Sequence, residues 1–157
     1  MATGGRTSAV VTRVGTRRDE GEITSCVCAA YLRHIERVGK QPWPMLQDYS
    51  SVIRTSQVHV VEREGRIFGV LELLVTDQGF LLDSIAVDPS AQGTGIGRQL
   101  LQFAEDEARR QGFESIYLMT NEKMTENQEL YARIGYVLFD RQTVHGYSRV
   151  LMRKPLV

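Results

Sequence analysis

The chain has 157 residues, 42% of them hydrophobic and 24% charged, which suits one domain with its own core (expected over residues 1–157) and leaves little room for a second. Lysine plus arginine equals aspartate plus glutamate, 19 against 19, so no net basic field points to nucleic acid or to an anionic membrane as the main partner. No apolar run approaches the roughly 20 residues that span a bilayer, and the opening M-A-T-G-G-R-T-S lacks the apolar stretch of a signal peptide; the expected location is the cytoplasm.

Ala9 to Val14 reads as a first strand. From Asp19 to Val38 the apolar residues Ile23, Cys26, Val27, Ala30, Tyr31, Ile35 and Val38 fall on one helical stripe, with Gly39 as the stop. Cys26 is then a core residue. Cys26 and Cys28, two apart on a helix, point away from each other and cannot bridge, and neither a disulfide nor a metal site is expected. Gln41-Pro42-Trp43-Pro44 cannot continue a helix, so the chain should break there, as a mobile lid, before a short helix from about Met45 to Arg54.

Val58 to Glu62 and Ile67 to Val75 read as strands joined at Glu64-Gly65, and the turn Asp77-Gln78-Gly79 leads into a third, Phe80 to Val87. These should pair antiparallel. The strand ends in V-D-P-S-A-Q-G-T-G-I-G, a glycine-rich turn that opens a helix. Gly93, Gly95 and Gly97 allow positive φ and close approach of the backbone, and the helix that follows turns its unpaired amides and positive dipole end to the same point. An anion is expected there. After Gly95 and Gly97, the third glycine of a dinucleotide fingerprint would fall at Leu100, and Arg98-Gln99 stand where a triphosphate loop needs lysine and a hydroxyl, so neither of those patterns fits.

From Ile96, the residues Leu100, Leu101, Phe103, Ala104 and Ala108 repeat at helical spacing up to Arg109-Arg110 and Gly112. Ser115 to Thr120 is expected as a buried strand. Thr125 and Gln128 form a capping-box pattern, so a helix should start near Thr125 and stop at Gly135, with Asn127 in its first turn and Tyr131 four residues on, along the same face. Tyr136 to Asp140 and Tyr147 to Arg153 complete the chain as strands around a His145-Gly146 turn. There are no repeats and no low-complexity linker.

Two motifs in this order carry a family resemblance. Gln92 to Gly97, Q-x-x-G-x-G directly after a strand, resembles the acyl-CoA signature of the GNAT superfamily of N-acetyltransferases, and N-x-x-x-Y-x-x-x-G-Y at Asn127, Tyr131, Gly135 and Tyr136 resembles that superfamily's later segment. The resemblance is sharp from Leu81 to Tyr136 and only topological before Phe68. It implies an α/β (α+β) GNAT fold: a mixed, mostly antiparallel sheet of about seven strands, splayed between the fourth and fifth, with about four helices.

It further implies acetyl-CoA as cosubstrate, with no metal. The backbone of Ile85, Ala86 and Val87 would pair with the pantetheine arm; Gln92, Gly93, Thr94, Gly95, Ile96, Gly97 and Arg98 would wrap the pyrophosphate; Asn127 would hold the arm and Tyr131 would stand beside the thioester sulfur. The implied reaction is direct attack by an amine on the thioester in a ternary complex. An amine of pKa near 10 must lose its proton before attack, and Tyr131 is a candidate acid for the leaving thiolate.

Glu72 and Asp83, polar breaks in apolar strands, are candidate bases, each with an alternative place on a solvent face. His34 and His145 are weaker candidates. A glutamate that some histone-acetylating members carry in the fourth strand is replaced by Leu81. Trp43, Met45, Asp48 and Tyr49, with Thr143 to Tyr147, occupy the family's acceptor region; Trp43, Tyr49, Glu72 and Asp83 are the expected acceptor contacts. The acceptor is expected to be a small-molecule amine, with a protein amine as the alternative. Other readings are a non-catalytic acyl-CoA sensor, an enzyme using another acyl donor or acceptor, and a homodimer built on the late strands.

Overall fold

The computed structural model describes residues 10–156; the start of the expected first strand, at Ala9, lies outside them. Strand β1 (Val11–Val14) is followed by helix α1 (Glu20–Tyr31), a 3₁₀ turn at Leu32–His34 and the short helix α2 (Ile35–Val38). The expected single helix from Asp19 to Val38 is therefore interrupted. Of its stripe, Ile23, Cys26, Val27, Ala30 and Val38 are buried, whereas Tyr31 and Ile35, on either side of the break, stay half-exposed. Gly39 (φ 88°) ends α2 in the left-handed region.

The proline-rich segment forms a 3₁₀ turn at Trp43–Leu46, and the helix expected from Met45 begins only at α3 (Tyr49–Thr55), where the Asp48 carboxylate accepts from the Ser50 amide. The expected lid is tethered in this structure. The Tyr147 hydroxyl donates to the Gln41 carbonyl, the Tyr49 hydroxyl to that of Pro44 at 2.8 Å, and Trp43 stacks on His145 with centroids 4.0 Å apart.

Strands β2 (Gln57–Arg63), β3 (Arg66–Thr76) and β4 (Gly79–Val87) form the expected antiparallel meander. Then come α4 (Ile96–Arg110), β5 (Ser115–Asn121), α5 (Thr125–Arg133), β6 (Val137–Val144) and β7 (Tyr147–Pro155). Of the two-residue hairpins, those at Glu64-Gly65 and His145-Gly146 have all four turn residues at positive φ, the conformation that follows strand twist, whereas the β3–β4 turn at Asp77-Gln78 does not. Thr125 does start α5, but its capping box does not form. Gln128 instead donates to the carbonyls of Asn121 and Glu122 at 3.3 and 3.0 Å, tying the helix start to the end of β5.

The seven strands lie in the order β1-β2-β3-β4-β5-β7-β6, antiparallel except for β4 beside β5. Leu71, Leu73, Phe80, Leu82, Ile116 and Leu118 face Leu100 and Ala104 of α4 in one core layer. The opposite face packs Val58, Val60 and Val70 against Ile23 and Val27 of α1 and Val52 of α3. The α1–α2 pair, α3, α4 and α5 correspond to the roughly four helices expected. At the far edge, β6 exposes Val137, Leu138 and Phe139.

The parallel pairing of β4 with β5 is confined to Phe80–Ile116, Leu81–Tyr117 and Leu82–Leu118. Beyond Leu82 the strands diverge, and the sheet opens into a cleft from within its own core.

Candidate active site

Two local devices build the cleft. The first is a bulge in β4. Leu82 pairs with Leu73 of β3 and Ser84 with Glu72, so Asp83 is the additional residue, without a partner across the ladder. A bulge bends its strand and redirects a side chain; here it occurs where β5 departs, and Asp83 lines the cavity that results.

The second device is the turn into α4. Pro89–Ala91 forms a 3₁₀ turn stabilised by the Asp88 carboxylate, which accepts from the Ser90 amide at 2.9 Å and the Ser90 hydroxyl at 2.7 Å. Gly93 (φ 81°) and Gly95 (φ 92°) then reverse the chain through the left-handed region so that α4 starts at Ile96. Gly97 has no such backbone need, and a Cβ there would meet only Val87 Cγ2, at an ordinary 3.6 Å. The chain's own packing does not require glycine at that position, inside the first turn of a helix where it costs about 1 kcal/mol. It leaves the backbone bare toward the cleft. The amides of Ile96, Gly97 and Arg98 have no carbonyl one turn back to receive them, and the positive helix end adds to their pull on an anion.

Two cavities meet in this opening. The larger, about 970 Å³, runs from Gln92–Gly95, Gly97 and Arg98 to α5; the smaller, about 70 Å³, lies under Trp43 and Pro44 and includes Asp83, Tyr147 and Arg149. Both are lined by Tyr31, Ile85, Met124, Asn127 and Tyr131, so this group marks their junction. Asn127 and Tyr131 reach it from one face of α5.

The Tyr131 ring is buried against Tyr136, centroids 5.8 Å apart, and its hydroxyl has no hydrogen-bond partner among the described residues. Burial, with the nearby Tyr31 phenol, raises its pKa well above the usual phenolic value. The hydroxyl thus holds its proton and is free to donate it. The Tyr31 hydroxyl donates to the Ile85 carbonyl at 3.1 Å, and burial pushes its pKa up to about 12.

Glu72 and Asp83 form a carboxyl pair across β3 and β4. Glu72 is 2% exposed, accepts from the Ser56 hydroxyl at 3.3 Å and has one oxygen, Oε1, with no donor. Burial, then its hydrogen bond with Asp83, raises the Glu72 pKa to about 9. A Glu72 that keeps its hydrogen and turns it toward Asp83 accounts for the orphaned oxygen. Asp83 is the member that faces the cavity; Glu72 lies behind it.

Of the other residues expected here, Ile85, Val87, Gln92, Gly93, Thr94 and Arg98 line the larger cavity, as does Ala86. Ile96 turns its side chain into the core beneath Gly69. The Thr94 amide and hydroxyl both donate to the Ala91 carbonyl, so this residue closes the turn. Arg33, not anticipated from the sequence, donates to the Gln92 side-chain oxygen at 2.8 Å and brings a second cation to the mouth beside Arg98.

Tyr49 is a correction. It is 3% exposed in the core between α1 and the sheet, and neither cavity includes it, because α3 starts four residues later than expected. Asp48 is used as the cap of that helix. His145 is exposed against Trp43, and His34 lines the larger cavity with its pKa lowered by burial and by Arg33. Tyr31 and Arg149 were missed: Tyr31 counts as one more apolar step on the α1 stripe, and an arginine in a strand has no distinguishing spacing. Among the described residues no group of three or more His, Cys, Asp or Glu is placed to hold a metal, and no helix is long and apolar enough to cross a membrane.

A mixed sheet splayed after a short parallel pairing, with a glycine turn on one side and an Asn-Tyr helix on the other, is the architecture that the resemblance implies. Residues 54–138 match the family model described as the acetyltransferase (GNAT) domain, and the chain belongs to that family. It is 31% identical over 103 residues to an IAA acetyltransferase of Azospirillum brasilense, covering 62% of this chain and 66% of the relative. It is 42% identical over 55 residues to an aminoalkylphosphonate N-acetyltransferase of Salmonella typhimurium, covering 35% of this chain and 36% of the relative. The chain spans 34% to 66% of the length of the curated relatives it matches. Its fold is similar to that of the PaiA N-acetyltransferase from Thermoplasma acidophilum in complex with coenzyme A, with a TM-score of 0.78 at 14% identity over 94% of this chain and 99% of the other.

Proposed function

We propose that the protein transfers an acetyl group from acetyl-CoA to a primary amine by direct attack in a ternary complex. The observation that carries this reading is the junction of the two cavities. The larger has a ready-made anion cradle at one end and a buried phenol at the other, and the smaller brings a carboxyl to the far side of that phenol. Acetyl-CoA fits the larger: pyrophosphate on the Gly93–Arg98 turn, pantetheine along the unpaired edge of β4 at Ile85 to Val87, and thioester beside Tyr131 and Asn127.

The smaller cavity receives the amine. Asp83, backed by Glu72, attracts the ammonium and takes up its proton, directly or through water. The free amine forms a bond to the thioester carbonyl carbon, and the oxyanion that develops is met by backbone amides of the β4 edge near Val87. As the carbon–sulfur bond breaks, the Tyr131 hydroxyl donates to the sulfur, and the second proton of the attacking nitrogen, released as the amide forms, returns through water to the phenolate. Its raised pKa makes it a poor acid in water, but the thiolate forms in the same buried site and is raised by the same cause.

Support for an amine acceptor comes also from the relatives named for N-acetylation. The carboxyl pair and the small cavity favour a small molecule over a protein amine, and the unpartnered hydroxyl of Tyr131 favours a catalyst over a non-catalytic sensor.

The test is calorimetric titration with acetyl-CoA, CoA and NADH, on the wild type and on Gly97→Ala. Acetyl-CoA and CoA bind and NADH does not; in the variant the affinity falls about tenfold or more while stability rises by about 0.5–1 kcal/mol, because alanine suits a helix better and only a ligand needs the bare backbone. No binding of acetyl-CoA by the folded wild type overturns the assignment.

A further inference from the structure

The smaller cavity holds a charge that acetyl transfer to a simple amine does not use. Arg149 lies on β7, opposite Asn121 at the diverging end of β5 and opposite Gln142 of β6. Its side chain is half-buried and lines the cavity together with Asp83, Tyr31 and Trp43. Among the described residues it makes no hydrogen bond and no ion pair. By contrast Arg153, four residues on along the same strand, donates to the Ser115 hydroxyl and the Gln78 carbonyl and packs over Tyr117 and Phe139. Asp83 is near enough to Arg149 to favour its charge but forms no salt bridge with it.

A carboxyl with no cation bound to it and an unpaired guanidinium thus line one cavity of about 70 Å³. Taking a guanidinium partly out of water with no partner is costly, and its planar set of donors matches an oxyanion with two oxygens. A ligand that brings one recovers that cost as charge-assisted hydrogen bonds.

We propose that the acceptor is a small zwitterion whose amine, close to an oxyanion, is held at Asp83 while its carboxylate or phosphonate is held by Arg149. This rests on the acetyl-transfer reading above and narrows it from amines in general to amino acids and their phosphonate analogues. Arg149 acts as a specificity residue: it makes no bond to the reacting atoms and fixes the amine by its other end. Esters and decarboxylated amines of the same shape leave the guanidinium unpaired in a site they have closed, so they are rejected.

Thiol release from acetyl-CoA is measured with a panel of α-amino acids bearing apolar, aromatic and cationic side chains, each beside its methyl ester and its decarboxylated amine. 2-Aminoethylphosphonate and its diethyl ester form a second arm, which decides between carboxylate and phosphonate. The expected result is a kcat/KM for at least one free acid about 10- to 150-fold above that of its ester, the worth of a hydrogen-bonded charge. The ratio falls toward one in Arg149→Met and is kept in part by Arg149→Lys. A thermal-shift series of the same compounds on the CoA complex reads binding without turnover and should show the same dependence on Arg149.

Esters or plain amines used as well as the acids by the wild type overturn the proposal, and so does an acid preference that survives in a folded Arg149→Met. Absence of any turnover, with no Arg149-dependent shift by any acid, overturns it too while acetyl-CoA binding still supports acetyl transfer. Only failure to bind acetyl-CoA brings down both.

Discussion

Replacing Glu72 by glutamine tests whether the carboxyl pair carries a proton at neutral pH. Glutamine has nearly the shape of a protonated glutamate: its amide nitrogen can donate to Asp83 as the carboxyl hydrogen does, and its carbonyl can accept from Ser56, which now donates at 3.3 Å. In the unfolded chain Glu72 titrates near 4.5, as a free glutamate does, whereas in the folded protein burial and Asp83 raise it to about 9. Between those values the folded state holds one proton that the unfolded state has lost. Unfolding therefore releases a proton, and stability declines as pH rises through this window, by about 1.4 kcal/mol per pH unit.

From pH 5 to pH 8 the wild type should lose up to about 4 kcal/mol relative to Glu72→Gln, which has nothing to titrate at this position. The two proteins should be close in stability at pH 5, and the variant distinctly the more stable at pH 8. Urea unfolding followed by circular dichroism and by the fluorescence of Trp43, the single tryptophan, gives the stability of each at both pH values. A gap that changes by less than about 1 kcal/mol over this range, or a variant weaker by the same amount at both, refutes the shared proton.

Tyr131→Phe keeps the ring against Tyr136 and removes only the unpartnered hydroxyl. Its kcat should fall roughly ten- to ten-thousand-fold with little change in acetyl-CoA affinity, and an unchanged kcat in steady-state assays removes Tyr131 from proton donation. Gly69→Ala adds a Cβ 3.0 Å from both Ile96 Cγ2 and Leu100 Cδ1, which must move the first turns of α4. A loss of about 1–3 kcal/mol in denaturant unfolding is expected, together with weaker acetyl-CoA binding because the shifted turn carries the cradle. Wild-type stability in this variant contradicts the packing described.

The glycine turn and the Asn-Tyr helix were legible in the sequence because their signals are local. Turning the chain at Gly93 and Gly95 needs positive φ, and Gly97 keeps a helix start bare, so the turn is written as glycines within one contiguous stretch. Asn127 and Tyr131 are one helical turn apart, and their shared face follows from the period alone. The hairpins at Glu64-Gly65 and His145-Gly146 were legible for the same reason, whereas the break in the first helix at Leu32–His34 was not. No proline or glycine marks it, and the apolar stripe runs through it. The Thr125-Gln128 pattern misled because Gln128 found partners outside its own helix, the carbonyls of Asn121 and Glu122, and only the fold brings those within reach.

The acceptor side leaves no comparable mark. Tyr31, Trp43, Asp83 and Arg149 come from a helix end, a proline-rich turn, a bulge and a late strand, and they converge only because the sheet opens after Leu82. Asp83 reads from the sequence as an alternating strand residue whose face depends on register, and the bulge that redirects it is a property of the β3–β4 pairing. A ligand held by backbone amides constrains the residues that must be small, and these sit together. A ligand held by side chains arriving across a sheet constrains residues that are neighbours only after folding. In the proposed reading a donor held by one short turn leaves a contiguous mark in the sequence, whereas an acceptor held by a few separated positions leaves none, and the unpaired Arg149 near Asp83 is the most specific of them.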